Sequence, residues 1–282
     1  MNFSSFKING ADTWGVIQDG TAFDLGPSGL NLAVDLKDAI TNGVLTEATE
    51  KFSDAPSALE TDLEFLPTIT NPGKIVCVGV NYRTHQEETG KTDPKAPTIF
   101  TRWADTQMGH RQPAQMPSVT EKFDYEGEMA LVIGKEAWHV KEADAFDYVA
   151  GYAAYNDFSV RDWQKAASQF TPGKNFPGTG GFGPYFVTKE DLGDVNDLTL
   201  ETRVNGEVRQ HASVADLHFN IPQLMEYVTR FTKLSPGDVI VTGTPGGVGL
   251  FMEPQGLLSE GDVVEVEITG LGVLRNTVVG VE

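Results

Sequence analysis

The 282-residue chain holds a single cysteine, Cys77. One thiol permits no intrachain disulfide, no thiolate zinc site and no iron–sulfur cluster, and it suits a reducing cytoplasm. Basic residues are scarce, 21 Lys and Arg against 40 Asp and Glu, for a net charge of −19. A surface of that sign repels phosphate backbones and anionic lipid, so neither nucleic acid nor a membrane is an expected partner. Runs of about 18 apolar residues, long enough to cross a bilayer, are missing, and residues 1–10 lack the apolar core of a signal peptide. The expectation is a cytoplasmic protein. Hydrophobic residues at 40% and charged residues at 22% are the proportions of a folded globule, which excludes a disordered or collagen-like chain.

What the chain has in quantity is turn-formers, 30 Gly and 15 Pro, between short apolar runs. Residues 1–29 read as short strands broken by glycines, followed by a small helix capped by Asn31 with Leu32, Leu36 and Ile40 on one face and Gly43 at its end. A boundary near residue 70 separates a small N-terminal domain, 1–70, from a larger domain, 71–282. In the second part, strands are expected at 75–80, 129–133, 148–153, 198–204, 239–241, 263–268 and 273–279. Asn205-Gly206 predicts a tight hairpin turn, and Asn220 with Pro222 predicts a helix over 221–234. Residues 83–95 contain no large apolar side chain, so the segment 82–95 is expected to order as a lid over bound ligand. Strands outnumber helices, and the fold class is mixed α/β, dominated by β structure.

Five stretches can carry chemistry. In Asp124-Tyr125-Glu126-Gly127-Glu128, leading into an apolar strand, Glu126 and Glu128 point to one face. Two such carboxylates either face water or bind a hard cation, Mg²⁺, Mn²⁺ or Ca²⁺. Asp157 opens a stretch in which a helix would align it with Arg161 and Gln164; it is either a helix cap or a third acid for the same site. His85 and Glu88 stand one helical turn apart, either on an exposed face or as a general base with its orienting partner. Lys174 lies in the glycine-rich loop 171–184, which can bring it to an anion, and Thr244 tips a second one, where N–H groups and a hydroxyl can grip a carboxylate. Gly178 to Gly183 spells GxGxxG, yet a strand-like run follows it where a dinucleotide site needs a helix.

The order of these stretches resembles the fumarylacetoacetate hydrolase family over residues 72–282, on Val78-Gly-Val-Asn-Tyr-Arg-Thr-His85-Gln-Glu-Glu88, Tyr125-Glu-Gly-Glu128, Asn156-Asp157, Arg161-Asp-Trp-Gln164, Gly173-Lys174 and Pro236 to Gly249. The resemblance implies a β-roll catalytic domain of the fumarylacetoacetase C-terminal type, a homodimer, and one divalent cation per subunit, Mg²⁺ or Mn²⁺, held by Glu126, Glu128 and Asp157. It implies that His85 with Glu88 activates water and that Arg161, Gln164, Lys174 and Thr244 contact the oxygens of a small keto-acid substrate. Two departures stand out. Val78 replaces a fourth metal carboxylate of the namesake enzyme, a place water fills in shorter members, and the stretch after Lys174 differs from that of acylpyruvate hydrolases, so the pocket wall is its own.

The expected activity is metal-dependent hydrolysis of a C–C bond in a 2,4-diketo acid such as an acylpyruvate, a fumarylpyruvate-like compound or a diketo-deoxy sugar acid. His85 would deprotonate water and Lys174 would stabilise the oxyanion. The alternatives are a lyase or isomerase, such as an oxaloacetate decarboxylase or hydroxymuconate-type isomerase, and a noncatalytic keto-acid binder.

Overall fold

A computed structural model of the chain describes residues 1–90 and 94–282. Residues 91–93, part of the segment expected to form a lid, lie outside the described residues. Among the described residues, ten strands run side by side across the main sheet in the order Ser57–Leu59, Thr21–Asp24, Ala11–Gln18, Asn2–Ile8, Gly180–Thr188, Val149–Asp157, Gly127–Ile133, Val239–Val241, Ile75–Gly79 and Thr98–Arg102. Two short strands, Glu64–Phe65 and Gln107–Met108, pair onto its members. A second sheet carries Glu207–Ser213, Thr199–Val204, Val263–Ile268, Gly272–Val281 and Ala114–Pro117. The fold is the strand-rich mixed α/β type expected.

The central strands are buried on both faces, which is why they read as continuous apolar runs rather than alternating ones. Met129, Leu131 and Ile133 pack with Val76, Val78 and Ile240 against Leu200, Val266 and Leu274 of the second sheet. Helix Ile221–Phe231 lays Leu224, Met225 and Val228 on the same cluster, its start fixed by Asn220 and Gln223 capping one another. On the opposite face Ala130, Val132, Cys77 and Val241 pack with Phe3, Trp14, Leu36 and Ile40 from the first 70 residues. The N-terminal strands therefore extend the sheet, through Phe3 opposite Phe186, and supply one layer of the core.

The small helix expected from Asn31 begins later, at Leu36, because Asp35 and not Asn31 supplies the cap, accepting from Asp38 N–H at 2.7 Å. The alanine-containing segment after it forms a further helix, Leu45–Lys51. The hairpin at Asn205-Gly206 forms with both residues at positive φ, 51° and 81°, the backbone such a turn requires. Asp157 does not open a helix. It is the last residue of strand Val149–Asp157, and the helix that follows, Arg161–Lys165, is one short turn. Pairing of Asp157 with Gly180 in the neighbouring strand keeps its backbone extended, so sheet register overrides local capping propensity.

Candidate active site

Four adjacent strands meet one edge of the sheet and fix the site. Gly127–Ile133 begins there and its antiparallel neighbour Val149–Asp157 ends there, so Asp157 N–H donates to the Glu126 carbonyl at 2.9 Å. Glu126, Glu128 and Asp157 are all buried, and one oxygen of each lies within 4.8 Å of the others. On the next strands, Val239–Val241 and Ile75–Gly79 run parallel and deliver the glycine loop and helix Arg83–Thr89 to the same edge.

Buried cations meet two of the three acids. Lys174 Nζ donates to Glu126 at 2.8 Å and to Asp157 at 2.7 Å. Arg161 donates to Glu126, to Gln164 at 3.0 Å and, through Nε, to Asp124 at 2.8 Å. Arg102 holds the other oxygen of Asp157. Glu128 accepts from the Gly243 N–H at 2.6 Å. Burial, Asp157 and Glu126 push its carboxyl well above the ordinary range. Burial also disfavours the charge on Glu126, but Lys174 and Arg161 outweigh it and hold that carboxyl low. Desolvation works against the Lys174 ammonium, yet Asp157 and Glu126 overcome it and raise its pKa, so the group stays charged.

Four buried carboxylates, Asp124, Glu126, Glu128 and Asp157, thus face three buried cations, Arg102, Arg161 and Lys174. Among the described residues Glu128 is the acid without an ion-pair partner, and three hard oxygen donors converge beside it. The donor set of Glu126, Glu128 and Asp157 is consistent with a divalent cation.

Beside the acids opens a cleft of about 330 Å³ lined by His85, Glu126, Arg161, Gln164 and Lys174, with Phe100, Phe170, Leu250 and Phe251 as apolar walls. His85 Nδ1 lies 3.0 Å from Glu88, whose other oxygen accepts from the Gly247 N–H at 2.6 Å. That pairing makes Nδ1 the donor and leaves Nε2 as the basic nitrogen. The segment carrying the dyad has little apolar surface to bury, yet His85 and Gln86 are buried, and Thr84 adds a bond from the Gly246 N–H at 3.0 Å. Polar contacts to the glycine loop replace the missing hydrophobic anchor.

Thr244 is not among the residues lining the cleft. Its hydroxyl donates to the Gly127 carbonyl at 2.9 Å and accepts from Gln210 at 2.8 Å, which ties the glycine loop to the Glu126–Glu128 strand. The loop does grip carboxylates, but the chain's own: Gly243 N–H holds Glu128, Gly247 N–H holds Glu88, and Gly249 and Leu250 N–H groups hold Asp124 at 2.9 and 3.0 Å. Sequence reasoning missed Arg102, Asp124 and Gln210. Asp124 adjoins the acidic pair and was within reach; Arg102 and Gln210 carry no local signal, since their partners lie 55 and 34 residues away.

Residues 74–279 match the family described as fumarylacetoacetate (FAA) hydrolase, C-terminal. An oxaloacetate tautomerase of Xenopus laevis is 41% identical over 220 residues, 77% of this chain and 69% of that protein. Among solved structures, a fumarylacetoacetate hydrolase from psychrophilic Exiguobacterium antarcticum superposes with a TM-score of 0.87 at 34% identity, covering 100% of both chains. A 2-hydroxyhepta-2,4-diene-1,7-dioate isomerase from Mycobacterium marinum does so at 0.80 and 30% identity, covering 99% of this chain and 98% of that one.

Proposed function

The chain belongs to the fumarylacetoacetate hydrolase family, and from that premise we propose that it is a divalent-cation-dependent enzyme interconverting the keto and enol forms of a small 2-keto diacid, oxaloacetate first. The observation that carries this reading is His85, paired through Nδ1 with Glu88, lining the same cleft as Glu126, Arg161 and Lys174. Bound by the three carboxylates, a divalent cation would supply Lewis-acid polarisation of the substrate's keto oxygen.

The side chains account for the rest of the chemistry. Arg161 and Lys174 attract the 2-keto acid's oxygens in a protein whose overall charge repels them. His85 Nε2 removes a proton from C3, and the C–H electron pair becomes the C2–C3 double bond. The carbonyl π pair moves onto the C2 oxygen. Lys174, held protonated by its acids, stabilises that oxygen, and His85 returns the proton there to give the enol. Phe100, Phe170 and Phe251 keep bulk water from competing for the proton.

A second reading, C–C hydrolysis of a 2,4-diketo acid, draws on the full-length likeness to a fumarylacetoacetate hydrolase; there the same dyad would deprotonate water. The test follows decay of the enol's ultraviolet absorbance with Mg²⁺ or Mn²⁺ in parent and His85→Ala proteins, beside acylpyruvate hydrolysis. We expect the parent to accelerate enol decay and His85→Ala to lower kcat by roughly 10²- to 10⁴-fold. Acylpyruvate cleavage without tautomerisation would transfer the assignment to hydrolysis, and neither activity would sink both readings.

A further inference from the structure

The cleft's guanidinium does not hold itself in place. Arg161 donates through Nε to Asp124 and through a terminal nitrogen to Glu126 and Gln164, while its other terminal nitrogen, Nη2, is buried with no acceptor among the described residues. Asp124, itself fully buried, accepts four N–H groups: Tyr125 at 3.0 Å and Gly249 at 2.9 Å on Oδ1, Leu250 at 3.0 Å and Arg161 Nε at 2.8 Å on Oδ2. One carboxylate therefore fastens the cationic side chain and the turn Gly249–Phe251, whose Leu250 and Phe251 line the same cleft.

We propose that Asp124 is a positioning residue for substrate binding, which sets Arg161 toward the substrate's oxygens and couples its placement to the Leu250–Phe251 wall. This rests on the reading that Arg161 meets a keto acid; failure of that reading would appear in the parent protein, as no binding of pyruvate and no turnover, whatever the variant does. The chemistry of the position is demanding. Donors converge on both oxygens, and only an acceptor-only group satisfies them all. Asparagine has the same shape but one acceptor oxygen, so in either orientation its NH₂ meets N–H donors on one side. A buried charge-assisted bond lost in this way corresponds to about a 10- to 100-fold change in binding.

The experiment compares parent, Asp124→Asn, Arg161→Met and the double variant, all loaded with Mn²⁺. It reads KM and kcat for oxaloacetate and the calorimetric Kd of pyruvate. Asp124→Asn is expected to raise KM and Kd about 10- to 100-fold with kcat within about threefold, and to add less than about threefold once Arg161 is gone. An unchanged KM, or a penalty of equal size in the Arg161→Met background, would overturn the proposal, because a purely structural role acts irrespective of residue 161. Should Asp124→Asn fail to fold, the parent decides by hydrogen exchange. Pyruvate is expected to slow the Gly249 and Leu250 amides at least about tenfold through their shared acceptor, and unaltered exchange at both would overturn the coupling.

Discussion

At the scale of single residues, Glu128 is the acid of the three without an ion-pair partner among the described residues, and its raised pKa has a definite consequence for stability. A carboxyl whose folded pKa lies above its unfolded value, about 4.3, contributes stability that is fully present below that value and lost as pH rises through the folded one. The metal-free protein should therefore weaken toward neutral pH. Glu128→Gln should stabilise it there by at least about 1 kcal/mol in urea unfolding, while abolishing Mn²⁺ binding by calorimetry. A variant that is no more stable, or that binds Mn²⁺ like the parent, contradicts the assignment. His110 behaves in the opposite sense. Burial, then Arg111 and Arg275, push it down to about 4, and its Nδ1 accepts from the Arg275 N–H at 3.1 Å, which only the neutral ring can do. A depressed histidine contributes stability above about 6.5 that is lost as pH falls toward 4, on the order of 3 kcal/mol. His110→Asn, which can still accept from that N–H, should flatten the unfolding free energy between these pH values; an unchanged slope would show that another group controls it. The sequence exposed the residues whose partners are local, Glu126 with Glu128 and His85 with Glu88, because strand and helix periods place them together. It concealed Asp124 with Arg161 and Arg102 with Asp157, pairs 37 and 55 residues apart that only the sheet register brings into contact.

Among elements, the two short helices Arg161–Lys165 and Thr171–Lys174 cross at Gly173, where an added Cβ would stand 2.3 Å from the Gln164 nitrogen. Gly173→Ala must push Lys174 away from Glu126 and Asp157 or shift Gln164 from Arg161. It should cost about 1–3 kcal/mol of stability and lower kcat/KM at least about tenfold; thermal melts and steady-state kinetics that match the parent would show that the crossing has slack. The same elements explain why helix boundaries were harder to read than strands. A one-turn helix such as Arg161–Lys165 buries Arg161 through ion pairs and Gln164 through a hydrogen bond and leaves no apolar stripe, whereas helix Ile221–Phe231 announces itself with a stripe and a capping pair. Strand Gly127–Ile133 was legible from its unbroken apolar run, but the order of the sheet was not, because pairing partners are chosen by tertiary packing.

For the whole molecule, the first 70 residues bear on the site without touching it. Their Phe3, Trp14 and Leu36 cover the sheet face from which Ala130, Val132 and Tyr155 project, the face that also carries Glu128 and Asp157. Because that cluster is shared, calorimetry should show one cooperative transition, and removal of residues 1–70 should expose the face and abolish soluble expression. Two well-separated transitions, or a truncated protein that still binds Mn²⁺, would mark 71–282 as an independent folding unit.

The backbone ribbon from Gly243 to Leu250 holds Glu128, Glu88 and Asp124 by its own amides, and amides are not altered when side chains mutate. Heritable change is thereby channelled. Drift at Phe100, Ala167, Phe170 or the Leu250 and Phe251 side chains reshapes what enters the cleft while the acid–base apparatus keeps its alignment, so one scaffold can be retuned toward new keto acids by replacing its walls. A library confined to those five positions should yield altered substrate preference far more often than lost chemistry, and one spread over 243–249 the reverse.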